Sequence, residues 1–145
     1  MEEPQIIPPV NFLEAVEKGF KNLTDFSSRS RRSEYWYLAL AVFLVEIVLG
    51  IILILTSFFL DLDDEITEFI FGIICFCGFL FMIPCSVRRL HDIGKSGWFI
   101  LLSFVLIIGE IILLVFFCTD SQIESNEYGS SPKYSNFPSA GDTMV

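Results

Sequence analysis

Three stretches of the chain, Tyr35 to Leu60, Ile66 to Val87 and Trp98 to Cys118, are apolar almost throughout, and each contains a single charged residue: Glu46, Glu68 and Glu110. A water-soluble domain spreads its apolar residues as stripes of period two or 3.6 with polar residues between them. These runs have no polar face, so their solvent must be lipid. At ~1.5 Å per helical residue each can cross a hydrocarbon core of roughly 30 Å. The pattern predicts three transmembrane helices. The composition agrees: 53% of residues are hydrophobic, and the 16 Phe are costly to pack in a small soluble core but favourable against lipid.

The remaining segments order themselves around these runs. Residues 1–9, with Pro4, Pro8 and Pro9, read as a flexible N-terminus. From Val10 to Phe26, Val10, Leu13, Val16, Phe20 and Leu23 recur at steps of three and four between charged residues, which predicts an amphipathic helix suited to the membrane surface. Residues 10–34 thus form an interfacial helix and a basic turn, with Ser33 placed to cap a helix beginning at Glu34. Residues 35–118 form the three-span membrane domain (35–60, 66–87, 98–118), with Gly94 and Ser96 as caps between the second and third spans. Residues 119–145 read as a mobile polar tail. The fold class is an all-α membrane protein, an amphipathic N-terminal helix followed by a three-span transmembrane helix bundle.

The formal net charge of −9 excludes nucleic acid as a partner, because phosphate binding needs clustered Lys and Arg. The basic residues that exist are placed asymmetrically. Lys18, Lys21, Arg29, Arg31 and Arg32 precede the first run, and Arg88, Arg89 and Lys95 lie between the second and third, while the turn after the first run is acidic. Positive charge near spans marks the cytoplasmic side. This puts the N-terminus in the cytoplasm and, after three crossings, the tail outside. Tyr35, Trp36, Tyr37 and Trp98 fall at the same interface. The first 34 residues hold no cleavable apolar core, so the first span is expected to remain as an anchor. Cys75 and Cys77 point to opposite helix faces and cannot grip one ion, so no metal or other cofactor is expected.

Two loop segments carry a recognisable signature. Ser28-Arg29-Ser30-Arg31-Arg32-Ser33-Glu34-Tyr35-Trp36 precedes the first run, and Arg88-Arg89-Leu90-His91-Asp92-Ile93-Gly94-Lys95-Ser96-Gly97-Trp98 precedes the third. Together they resemble the domain-of-unknown-function family 805 of bacterial inner-membrane proteins, with Ser28 where that family usually has Gly. Asn126-Glu127-Tyr128-Gly129 and Pro132 resemble its short tail motif. The resemblance implies a bacterial inner membrane and an unassigned activity.

The motif residues favour anchoring over catalysis. His91 and Asp92 are adjacent on a helix and point ~100° apart, which is poor geometry for a base and its orienting acid. Gly94-Lys95-Ser96 lacks the earlier glycine and the strand that a phosphate loop needs. Arg88 and Asp92, four apart, can instead pair on one face. The expected function is a non-enzymatic membrane scaffold that binds anionic lipid headgroups or a partner protein, or self-associates. The expected binding residues are Arg29, Arg32, Glu34, Trp36, Arg88, Arg89, His91, Asp92, Lys95 and Trp98. The alternative is a small oligomeric channel or transporter for protons or cations. It rests on Glu46 and Glu110, which lie at similar depth in their runs and are costly there without a role.

Overall fold

The computed structural model describes residues 5–135. Asn11 opens the first helix, α1 (Phe12–Lys21). Its side chain accepts the Glu14 N–H at 2.9 Å, and the Glu14 carboxylate accepts the Asn11 N–H at 3.1 Å, so two otherwise free donors are satisfied. The helix stops at Lys21 and not at Phe26, because the chain turns around Asp25, whose Oδ1 accepts the N–H groups of Ser27 and Ser28. The small residues Ala15 and Gly19 face the second helix. A Cβ on Gly19 would stand 2.5 Å from the Leu38 side chain, so the close approach requires glycine. The larger apolar residues Leu13 and Phe20 remain exposed.

Helices α2 (Arg32–Leu60) and α3 (Asp64–Asp92) have 29 residues each, about 43 Å of helix. Only 11% of the most apolar stretch of α2 and 22% of that of α3 is buried, whereas the core helix of a soluble protein would be mostly covered. They form an antiparallel pair closed by a tight acidic turn. Asp61 takes the left-handed conformation and donates its N–H to the Ser57 carbonyl, and Asp63 caps α3 at the Glu65 N–H. Two expectations are corrected here. Because α2 begins at Arg32, Ser33 lies inside the helix and not at its cap, and its buried hydroxyl has no hydrogen-bond partner among the described residues. And α3 continues past Val87, so Arg88 to Asp92 are helical, not a loop.

The largest departure is the third run. It is not one helix over 98–118 but a hairpin: a 3-10 helix, Gly97–Phe104, a turn at Val105–Ile107, and a short helix α4, Ile108–Cys118. With 11 residues, α4 is about 16 Å long, too short to cross the hydrocarbon core. The two arms lie side by side. Phe99 meets Phe116 edge to face at 5.8 Å, and Gly109 is pressed on the Leu102 carbonyl so closely that a Cβ there would stand 1.9 Å from its oxygen. The chain therefore returns to the end it started from. The tail, expected across the membrane from the N-terminus, packs against the segment before α2 instead: Cys118 and Asp120 contact Arg32, and Gln122, Glu124 and Gly129 contact Arg29.

The tail is also not free over its described length. Strand β1 (Gln5–Ile6) pairs antiparallel with β2 (Tyr134–Ser135), and the Ile7 N–H reaches the Lys133 carbonyl at 2.9 Å. Residues 5–9 and 119–135, read from the sequence as flexible ends, hold each other; residues 1–4 and 136–145 lie outside the described residues. The packed core, Tyr35, Leu38, Cys85, Leu90, Leu113 and Phe117, sits at this same end of the bundle.

Candidate functional site

The two basic motifs and the tail close into a polar hub at the end of the bundle. Arg88, Arg89, His91 and Asp92 ride on the last turns of α3, and Arg29 reaches them from the turn before α2. Asp92 is fully buried and sits at the centre. It accepts the Arg29 Nε–H at 3.1 Å, the Arg89 Nη1–H at 2.5 Å and the Ser121 hydroxyl at 2.5 Å. Arg29 gives its remaining donors to backbone carbonyls of Asp92, Gln122, Glu124 and Gly129, at 2.8–3.1 Å. Arg89 adds the Phe117 and Thr119 carbonyls. Two buried cations and one buried anion are tolerable only because each donor has an acceptor.

The anticipated Arg88–Asp92 pair does not form. Arg88 turns the other way, to Glu34 at 3.7 Å and to the Asn22 and Asp25 carbonyls. Glu34, which also faces Lys18 at 3.7 Å, thereby ties α1, α2 and α3 together. Nearby, burial pushes the Asp25 carboxyl up, but the hydroxyl and backbone donors of Ser28 and Ser27 outweigh this and hold it well below the usual carboxylate range. Arg31 donates to the Ile7 and Pro8 carbonyls, which holds the N-terminal segment.

His91 is engaged by stacking. Its ring lies parallel to Tyr128 at 3.6 Å between centroids, and its carbonyl accepts from the Asn126 amide. Its carboxylate neighbour in sequence is fully used by Arg29, Arg89 and Ser121, so the two do not form an acid–base pair. Of the other residues singled out from sequence, Lys95 reaches over the Phe116 ring at 5.9 Å, Trp98 is 78% exposed, and Trp36 is half-exposed on α2. The sequence reading missed the tail's share of the hub, in Asp120, Ser121, Gln122, Tyr128 and Lys133. The tail motif around Tyr128 was the signal for it.

Arg32 differs from the other arginines. Arg29, Arg31, Arg88 and Arg89 are buried, whereas the Arg32 side chain is 45% exposed. It bonds the Cys118 carbonyl and Asp120, and it lines a shallow groove of about 400 Å³ with Ser33, Trp36, Tyr37 and Cys118. Asp120 is clasped between Arg32 and Lys133. Burial raises its carboxyl, but the Lys133 ammonium, the Ser121 N–H and Arg32 prevail and hold it below its ordinary 3.8. A lowered carboxyl contributes stability that is present above its unfolded value and lost as pH falls through the folded one. The melting difference between wild type and Asp120→Asn is therefore expected at pH 7 and absent in acid well below 3.8. It is worth less than about 1 kcal/mol, since the pair is half-exposed. A gap that persisted in acid would assign the stabilisation elsewhere.

Deeper in the membrane, Glu46 and Glu110 line one cavity of about 380 Å³ between α2, α3 and the hairpin.

The family model described as "Protein of unknown function (DUF805)" matches residues 23–130. The chain belongs to this family. The matched region opens just after α1 and closes just after Gly129, so Asp92 and its partners Arg29, Arg89 and Ser121 lie within this DUF805 match, while α1 and Lys133 lie outside it. Among curated proteins, Inner membrane protein YhaI of Escherichia coli (strain K12) is 38% identical over 114 residues, 79% of this chain and 91% of the relative. Inner membrane protein YhaH of the same organism is 33% identical over 116 residues, 80% of this chain and 93% of the relative. No solved structure matches the chain.

Proposed function

We propose that the chain is a non-enzymatic scaffold of the bacterial inner membrane that holds an anionic phospholipid headgroup in the groove at Arg32. The observation that carries this reading is the division among the arginines. Four are buried, whereas Arg32, which also holds the Cys118 carbonyl and Asp120, is half-exposed and lines a groove with Trp36 and Tyr37. A half-exposed guanidinium beside two amphipathic rings suits a phosphate at the headgroup level.

Orientation supports the same reading. With the tail returned to the N-terminal end, every Lys and Arg lies on one side of the two long helices and the acidic turn Asp61–Asp64 lies on the other, a charge asymmetry that supports a cytoplasmic hub. The exposed Leu13 and Phe20 of α1 would then rest on that leaflet.

Native mass spectrometry of the protein extracted in mild detergent tests this. Wild type is expected to retain anionic over zwitterionic phospholipid, and Arg32→Ala to lose about fivefold of that retention, one basic contact being worth ~1 kcal/mol at a membrane surface. Lys95→Ala, which alters a residue outside the groove, is expected to change it less. Equal retention in Arg32→Ala would remove the groove from lipid binding, and a protein lost from the same variant would point to partner docking.

A further inference from the structure

The cavity between α2, α3 and the hairpin does not belong to the polar hub, and it carries an inference that is independent of the lipid reading. Its walls are largely apolar, with Phe43, Phe79 and Phe117 among them, yet it holds the carboxylates of Glu46 and Glu110. None of its lining residues is Lys, Arg or His, and among the described residues neither carboxylate has an ion-pair or hydrogen-bond partner. The Glu46 carboxylate is seated by shape. It lies against the backbone of Gly78, where a Cβ would stand on its Oε1, so any larger residue at 78 would expel it. Ser103, from the hairpin, lines the same space, and its buried hydroxyl has no hydrogen-bond partner among the described residues. Glu110 is exposed at the edge of the hairpin, on the side the surrounding lipid would cover.

An unpaired carboxylate at this depth is costly, and among the described residues the cavity lining supplies no cation to offset it. The complement has to come from outside. A volume of about 380 Å³ is an order of magnitude larger than one water or one bare metal ion requires, given roughly 30 Å³ per water. Aromatic faces attract the diffuse charge of an organic ammonium, and apolar walls cover its carbon skeleton.

We propose that this cavity is a binding site for a lipophilic monovalent organic cation. The cationic nitrogen sits between Glu46 and Glu110, the hydrocarbon part lies against Phe43, Phe79 and Phe117, and Ser103 Oγ accepts from an N–H where the ligand has one. Entry is lateral, past Glu110, from the membrane.

Equilibrium binding of radiolabelled benzyltrimethylammonium to the full chain in nanodiscs tests the proposal, with its neutral carbon isostere, neopentylbenzene, as competitor. Wild type is expected to bind the cation saturably and to ignore the isostere. Glu46→Gln and Glu110→Gln are each expected to weaken binding at least about tenfold, the scale of one lost charge contact. Glu68→Gln, which alters a glutamate outside the cavity, is expected to bind as wild type does. Loss of a charge from the membrane interior should not impair folding, and size-exclusion profiles of the variants check this. The proposal is overturned if folded wild type shows no saturable binding, if both cavity variants bind as wild type does, or if the isostere displaces the cation. Lipid retention at the Arg32 groove is read separately, so either site can fail alone.

Discussion

Asp92→Ala is expected to destabilise the protein by about 3–5 kcal/mol, the range for removing one partner of a buried charge cluster. Asp92 is fully buried, and its two carboxylate oxygens take hydrogen bonds from Arg29, Arg89 and Ser121. Deleting it leaves two guanidinium groups sealed in the hub with carbonyl acceptors and no counter-charge, and it frees Ser121, through which the tail is held. Asp92→Asn is expected to cost less than Asp92→Ala, because the amide keeps one acceptor oxygen while its NH₂ group faces a donor. The check is thermal unfolding in a fixed detergent together with limited proteolysis of residues 119–135, which should become cleavable as the hub opens. A melting temperature within a degree or two of wild type would show that Asp92 is dispensable. Asp120→Asn, in a half-exposed clasp, provides the weak-pair comparison.

The hub also explains which parts of the fold were legible in the sequence. Length and lack of charge identified α2 and α3, because hydropathy alone separates a lipid-solvated helix from a soluble one. The apolar spacing of α1 and the Gly94–Ser96 junction were local signals of known geometry. What escaped was non-local. The basic motifs looked like a surface for ligands because Arg and Lys in a loop ordinarily stay hydrated. Their burial depends on acceptors as far along the chain as Gly129, which bonds Arg29 across 100 positions. No periodicity encodes such a contact. The tail looked mobile for the same reason: its polar composition is that of a free segment, and it is ordered by distant partners, the carbonyls it lends to Arg29 and Arg89, the Ser121–Asp92 bond and the pairing of β2 with β1. At the site level, the sequence singled out Glu46 and Glu110 as costly at their depth, and the structure places them in one cavity, which depends on the turn that folds the third run.

That turn is the other large test. A run from Trp98 to Cys118 has the length and composition of a span, and nothing in it is a strong breaker; the decision rests on packing at Gly109. There the backbone of α4 meets the Leu102 carbonyl with room for hydrogen only, and a Cβ would stand 1.9 Å from the oxygen. Gly109→Ala is therefore expected to cost about 3 kcal/mol, at the upper end for forcing atoms into a packed contact, because backbone and not a flexible side chain must move. Gly72→Ala, in α3 where an added Cβ meets nothing within 4 Å, is expected to be neutral or to stabilise by roughly 0.5–1 kcal/mol. Sidedness gives the matching binary result. A fluorescent protein fused after Val145 is expected to fluoresce and alkaline phosphatase fused at the same point to be inactive, because a hairpin returns the chain to the cytoplasmic side. A continuous third span would reverse both reporters, and it would also make Gly109→Ala a mild helix-stabilising change. The two measurements therefore fail together if the hairpin is wrong, and agreement between them would locate its cause at a single glycine.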